Sequence, residues 1–342
     1  MSSILAFRAS PLQLSTCGAL FLLPWSMALA TKPVNQRQSA DPSGSIEIVN
    51  VSGDVNVSGW DQPEIEVTGI VGNDVERVDL TVSGSHATVR AVARSGVGWG
   101  DGNSAHLTIH VPVKSAVTAT LVSSDLTVKN LLGDVKLQTV SGDVRGDVGG
   151  DLYATTVSGS VHLKAASAQV IEVKTVSGDM QISGGGGEVS ITTISGDAKV
   201  DLASIKRGHF KSISGDLTAG FAMDAGGQLD GESVSGNLHF MFASTPAADF
   251  DVQTLSGDIS NCFGPKPVES RYGPGSRLTF KNGEGDARVH IQSKSGDVQL
   301  CAKGARTDHG ASLSPIDGSG GPAPYRAIFL ALADRTRFRP VF

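Results

Sequence analysis

The sequence predicts an all-β protein, a β-helix-like β-solenoid of stacked coils of ~18–21 residues with an irregular β-layer at the N-terminal end. Three observations carry this prediction. A short phrase recurs: Thr139-Val140-Ser141-Gly142-Asp143-Val144 returns around Ser177-Gly178-Asp179, Ser195-Gly196-Asp197, Ser214-Gly215-Asp216 and Ser256-Gly257-Asp258, with looser copies at Ser158-Gly159-Ser160 and Ser235-Gly236-Asn237. The period is tight, because from Ser123 to Ser256 the serines are 18, 17, 19, 18, 19, 21 and 21 residues apart. Units repeated this closely stack on their neighbours and cannot bury a core alone. Finally, 42 glycines, 5% aromatics and many short Val/Ile/Thr runs favour strands joined by tight turns.

The elements follow in chain order. Arg8 precedes an apolar run from Leu12 to Leu29, and Ala28-Leu29-Ala30 gives a small-x-small cleavage pattern, so residues 1–30 read as an export signal. Leu14-Ser15-Thr16-Cys17 resembles a lipobox superficially, but the apolar run continues past the cysteine. Pro24 interrupts a stretch already short of the ~20 residues that span a bilayer, so no firm membrane insertion is expected. Residues 31–44 are polar, contain Pro33 and Pro42, and read as a flexible lead-in. Residues 45–122 form the irregular β-layer. In it Ile46–Val57 carries the first Ser-Gly-Asp, Gly59-Trp60-Asp61-Gln62-Pro63 turns into Glu64–Val67 as an entry strand pair, and Gly96–Gly102 makes a later turn.

Residues 123–303 hold the regular repeats. Apolar residues fall on odd numbers through Val189 and Ile191 but on even ones at Ile194, Ala198 and Val200, which predicts a bend at the Thr193-Ile194 step. Ser183–Gly187 reads as a loop that absorbs differences in coil length. The tail, 304–342, begins with a Gly/Pro/Ser-rich linker. Tyr325, Ile328, Phe329 and Leu332 then fall at i, i+3, i+4 and i+7, an amphipathic helix pattern followed by Arg335, Arg337 and Arg339.

Chemistry centres on the phrase. Asp54, Asp143, Asp179, Asp197, Asp216, Asp258 and Asp297 would form a column, and neighbours ~4.8 Å apart repel by about 1 kcal/mol in water and by more if desolvated. Solvated turn residues, cation ligands and catalytic carboxylates all remain possible. The turn reading accounts for every residue type, since Ser and Asp cap backbone N–H groups and Gly supplies a positive φ. Ser160 and Asn237 keep the turn bond and lose the charge. The histidines lack ligand spacing, so no metal and no cofactor is assigned. A net charge of −6 without a basic, aromatic-interleaved stripe argues against nucleic acid. Three Trp and three Tyr are few for a polysaccharide-cleaving β-helix.

The opening Asn50-Val51-Ser52-Gly53-Asp54-Val55 with Gly59-Trp60-Asp61, the Val111-Pro112 step and the serial Val-Ser-Gly-Asp phrases resemble the bacterial adhesin-like β-strand-repeat family, also called toast-rack domains (domain of unknown function 4097), from about Ser45 to Lys303. The resemblance implies an exported, non-enzymatic β-solenoid of the periplasm or cell surface, linked to envelope-stress systems and serving as a scaffold or interaction protein for an envelope or surface protein or glycan. It supplies no catalytic residues. The other readings are a carbohydrate-active β-helix enzyme and a calcium-dependent surface protein. The last copy carries Lys294 at the apolar position, as a solvent-facing final coil would.

Cys262 and Cys301 each lie six residues after the Ser of their own Ser-Gly-Asp, so they hold equivalent positions in their coils. Their 39-residue separation is about two periods. The Pro/Gly-rich stretch Phe263–Gly275 fits an insertion better than an intervening coil, which puts the cysteines on neighbouring rungs, where an oxidising compartment would bridge them.

Overall fold

Polar and apolar residues alternate along nearly every segment, and alternation at period two buries one side of a strand. The computed structural model describes residues 31–94, 104–269 and 273–303, and all their regular structure is strand. The export signal, the Gly96–Gly102 turn and the C-terminal tail lie outside the described residues. In chain order the strands are β1 (Lys32–Ser39), β2 (Ser45–Trp60), β3 (Glu64–Val71), β4 (Val75–Ser83), β5 (His86–Ala93), β6 (Ala105–Pro112), β7 (Ala116–Leu131), β8 (Val135–Ser141), β9 (Val144–Val148), β10 (Leu152–Ser158) and β11 (Val161–Ala165). They continue with β12 (Val170–Ser177), β13 (Met180–Ser195), β14 (Ala198–Ser212), β15 (Leu217–Ser233), β16 (Leu238–Phe242), β17 (Ala248–Thr254), β18 (Ile259–Asn261), β19 (Val268–Glu269), β20 (Ser276–Asn282), β21 (Ala287–Ser293) and β22 (Val298–Ala302).

Each repeat is a rung with one strand segment on each of two faces, joined at a Ser-Gly-Asp corner. The first face runs β8–β10–β12–β13–β14–β15 and the second β9–β11–β13–β14–β15–β16, every step parallel. The long strands β2, β7, β13, β14 and β15 bend through a corner and serve both faces. Inward residues of both, such as Leu137, Val173 and Ile191 on the first and Leu163, Ile182 and Val200 on the second, share one hydrophobic core.

The two ends depart from simple stacking in the same way. After β16 the chain skips a rung: β17 and β18 form the outermost one, and β21 and β22, arriving later, slot in between, with β21 flanked by β15 and β17 and β22 by β16 and β18. At the other end β5 lies between β4 and β2, and β6 between β3 and β2. Antiparallel strands close both ends: β1 on β3 and β4 on β5 at one, β20 on β17 and β19 on β20 at the other.

Several expectations change. Residues 31–44 are not a lead-in, because Lys32–Ser39 is strand β1 in register with β3. The entry strands β2 and β3 do not pair with each other, since β6 separates them. The Ser183–Gly187 stretch lies within continuous strand β13 and forms its glycine corner instead of a loop. The rung with Lys294 is enclosed by neighbours and is not the final one in space. The change of alternation also falls elsewhere: Thr193 is buried and Ile194 exposed, so the parity shift occurs inside the Ser-Gly-Asp turn.

Candidate functional site

The repeated corner is the one feature that concentrates the same chemistry on every rung. At each copy the β-branched polar residue points inward, as Thr139, Thr156, Thr175, Thr193, Ser212, Ser233, Thr254 and Ser293 are all buried. The next residue points out, and the glycine follows. A Cβ on Gly178, Gly196, Gly215 or Gly236 would overlap the carbonyl oxygen of the glycine one rung back. The column of glycines is therefore a packing requirement, since backbones this close leave no room for a side chain.

The aspartates bind the rungs together. Asp125 Oδ1 accepts the N–H of Asp143 at 2.8 Å, Asp143 that of Ser160 at 2.9 Å, Asp179 that of Asp197 at 3.0 Å, and Asp197 that of Asp216 at 3.0 Å. The ladder continues through Asp216 to Asn237, Asn237 to Asp297, and Asp297 to Asp258, each at 2.9 Å. The order of the last steps repeats the insertion of β21 and β22 between β16 and β18. One carboxylate oxygen of each such Asp thus satisfies a turn N–H that would otherwise lack a partner. The Ser160 N–H, with help from Arg145, holds the Asp143 carboxyl below the usual carboxylate range against a smaller opposing effect of burial.

Asp54 stands apart, because its carboxylate pairs with His106 of β6. Asp125, in the Ser123-Ser124-Asp125 copy, joins the ladder although Ser124 replaces the glycine. A second ladder at the opposite corner had no repeated sequence phrase to announce it: Asp134 accepts Asp151 N–H at 3.1 Å, and Asp151 accepts the N–H groups of Gln169 and Val170 at 3.0 Å. Asn50, buried at the first corner, donates to Ser124 Oγ at 3.0 Å.

The Toastrack DUF4097 family model matches residues 43–301. The chain belongs to the toast-rack family. It is also similar to solved structures of a candidate lipid-binding protein from Parabacteroides distasonis (14% identity, 78% of this chain and 96% of that chain, TM-score 0.45) and a candidate adhesin from Bacteroides fragilis (10% identity, 79% and 98%, TM-score 0.38). A third is a candidate cell adhesion protein from Clostridium sporogenes (11% identity, 80% and 100%, TM-score 0.26). No curated protein matches.

In this toast-rack chain Cys262 and Cys301 are joined by a disulfide, with Cα atoms 4.8 Å apart, linking the outermost rung to the inserted one. Among the described residues no group of three or more His, Cys, Asp or Glu is placed to hold a metal ion. A shallow groove of about 290 Å³ on the first face, where β13, β14 and β15 shift register, is bordered by Glu172, Glu188, Arg207, His209 and Asp230. Glu188 forms an ion pair with Arg207. One rung on, Lys211 donates to Glu232 at 2.8 Å and holds its carboxyl low. At the N-terminal end Trp60 stacks on His110, with ring centroids 5.1 Å apart, and lies under the Arg37 guanidinium. The His110 ring meets the Ser58 hydroxyl at 2.7 Å, and Arg37 is paired with Glu66.

Proposed function

We propose that the chain is an exported, non-enzymatic β-solenoid that serves as a cell-envelope scaffold or interaction protein, engaging an envelope or surface protein or glycan. The observation that carries this reading is the aspartate ladder. The acidic group that the sequence repeats most faithfully accepts a backbone N–H of a neighbouring rung at Asp125, Asp143, Asp179, Asp197, Asp216 and Asp297. Its repetition is thereby accounted for by stacking, without substrate chemistry. What is left for recognition is the outward surface: on the first face Lys136, Tyr153, Glu172, Ser190, His209, Asp230, His290 and Asp251 follow one another in strict register. A rigid support that varies one side chain per rung suits extended, shape-based binding. Membership of the toast-rack family agrees with such a role.

The test is fractionation of the source cells followed by crosslinking of the full chain in intact cells and identification of what is captured. Envelope or surface components are expected. Residence in the cytoplasm with cytoplasmic partners alone would overturn the proposal.

A further inference from the structure

The corner carries a second column that the aspartate ladder does not explain. Val140, Val157, Val176, Ile194, Ile213 and Val234 follow one another on consecutive rungs and are all exposed, from 37% at Ile213 to 49% at Val140. Half-buried Val51 and Val122 extend the column by two rungs toward the N-terminal end. The backbone fixes this succession. The residues just before, Asn50, Leu121, Thr139, Thr156, Thr175 and Thr193, are register partners in turn; Ser214 N–H then bonds Ile194 O, and Ser235 N–H bonds Ile213 O. Nothing in the turn requires an aliphatic residue here, because Lys294 fills the same position on the inserted rung and the ladder bonds of that turn are kept. Beside the aliphatic column runs a column of exposed serines, from Ser141 to Ser235. An apolar ridge beside a strip of small uncharged side chains, held over so many rungs without a demand from the fold, marks a contact surface.

We propose that the occupant of this strip is a second copy of the chain, packed side by side about a two-fold axis that runs along the stack between the aliphatic and serine columns. Period is the first observation that carries it. A ridge recurring every ~4.8 Å is matched along its whole length by a surface of the same period, and an isologous contact supplies one, with each aliphatic of one copy against the serine of the same rung in the other. Charge is the second. The same axis sets the outward residue two before each aliphatic against the turn residue of the same rung in the other copy, which joins Lys174 to Asp179, Lys211 to Asp216 and the one acid of that series, Glu232, to the uncharged Asn237. The remaining rungs offer Gln138, Thr155 and Thr192, so no like charges meet. The reversed orientation would set Asp179 against the second copy's Asp197. Extent is the third. Eight rungs make a strip ~35 Å long, and a corner between faces ~10 Å apart reaches a width of ~15 Å with its side chains. Two copies then cover about 1,000 Å², where specific interfaces begin, so the dimer is a weak one that forms at micromolar concentration. Antiparallel strands close both ends of the stack and leave its side for association.

Sedimentation of the full mature chain over a range of concentrations tests the proposal. The mass should rise from that of one chain toward two and stop there. A Val176→Ser, Ile194→Ser, Ile213→Ser chain should raise the dissociation constant more than tenfold with an unchanged far-ultraviolet spectrum, because the altered side chains are exposed. A Lys164→Ser, Asp201→Ser control on the second face should leave it alone. Orientation is read by a short thiol crosslinker on a Ser141→Cys chain and on a Ser195→Cys chain. Each should crosslink to its own copy, since the axis brings the same rung of both molecules together, whereas the reversed orientation parts the two copies of residue 141 by several rungs. A chain that stays monomeric throughout would overturn the proposal, as would association that continues past two or is indifferent to the aliphatic column. Crosslinking at 195 without crosslinking at 141 would overturn it too. None of these outcomes depends on which envelope partner the protein binds.

Discussion

The rungs before and after the Gly196 corner share one turn phrase but close it in two ways. Up to Gly196 the corner glycines Gly142, Gly159, Gly178 and Gly196 have φ near +140°, while Gly215, Gly236, Gly257 and Gly296 lie outside the left-handed range. In the early rungs the buried hydroxyls of Thr139, Thr156 and Thr175 have no hydrogen-bond partner. In the later ones Ser233 donates to Gly236 O and Thr254 to Gly257 O, both at 2.5 Å, and Gly236 N–H returns a bond to Ser233 at 3.0 Å; the change begins at Thr193, which donates to Gly196 O at 2.9 Å, and the inserted rung is an exception, with Ser293 partnerless. The cores differ in step. Early rungs are filled by Val, Leu, Ile, Ala and Met180, whereas the later ones hold Phe210, Phe221, Phe240, Phe242 and Phe250 in a chain of stacked and edge-on contacts 5.6–6.4 Å between centroids. The serine spacing grows from 17–19 to 21 residues over the same boundary. A longer rung encloses a wider core, and Phe fills it where glycine makes space: a Cβ on Gly208 would come within 2.8 Å of Phe210, and one on Gly231 within 3.2 Å of Phe240.

The largest expected effect follows from this difference in filling. Phe240 continues the inward column of Ile182, Val200 and Ala219. Phe240→Ala should cost about 3–5 kcal/mol in urea denaturation, against roughly 2 kcal/mol for Val200→Ala. Equal losses would show that the wide rungs are not held open by their aromatic filling.

Next in size is the disulfide, which belongs to the late rungs alone. Replacing Cys262 and Cys301 together by Ser removes a 39-residue link worth about 3–4 kcal/mol by chain entropy. Native-state hydrogen exchange should then report faster opening in β17, β18 and β22 while β8–β12 keep their protection. Uniform loss over the whole stack would mean that the two regions unfold as one unit and that the division drawn here is merely structural.

How much of this was legible in the sequence depends on what a period reports. Spacing reveals that rungs stack, and Thr-Val-Ser-Gly-Asp reveals the turn, so the all-β character, the family and the neighbouring cysteines could all be read from residues. Spacing is blind to spatial order. The 39-residue interval from Ser256 to Ser295 reports extra chain, which β19 and β20 take up, but nothing in Lys294 or Ser295-Gly296-Asp297 tells of the slot between β16 and β18. Strand β1 is hidden in the sequence for a different reason: Lys32-Pro33-Val34-Asn35 alternates without being apolar, as an edge strand with one solvated side can. The inward Thr and outward Val run against the ordinary hydrophobicity rule: at Ser233 and Thr254 the bond to the turn glycine accounts for the inner residue, while nothing in the structure explains it at Thr139, Thr156 and Thr175, whose hydroxyls are partnerless.

A smaller effect separates the two turn closures directly. Thr175→Val exchanges a partnerless buried hydroxyl for a methyl of the same shape and should be neutral or stabilising by up to about 1 kcal/mol. Ser233→Ala removes a donor and an acceptor that bond Gly236 and should cost about 1–3 kcal/mol. Chemical denaturation of the two variants side by side decides it. A loss at Thr175 equal to that at Ser233 would show that both turns use the hydroxyl and that the change of glycine φ has no energetic counterpart.

The smallest effect is electrostatic and sits in the early rungs. The Asp143 carboxyl is held low chiefly by the Ser160 N–H, with Arg145 adding to it. A carboxyl lowered on folding contributes stability that is present above its unfolded value and is lost as pH falls through its folded value, because the unfolded chain takes up the proton first. Acid should therefore weaken this corner across and below the ordinary carboxylate range and leave it unchanged toward neutral pH. Asp143→Asn keeps an oxygen for the Ser160 N–H and gives up the charge, as Asn237 does naturally at the equivalent late position. It should flatten the acid limb of the stability profile by less than about 1 kcal/mol, the range of a solvent-screened surface pair. Asp143→Ala, which also orphans the amide, should cost about 1 kcal/mol more at every pH. An Asn variant as damaging as the Ala variant at neutral pH would assign the ladder's strength to its charge, and the natural Asn237 rung would then be the weak step of the late region.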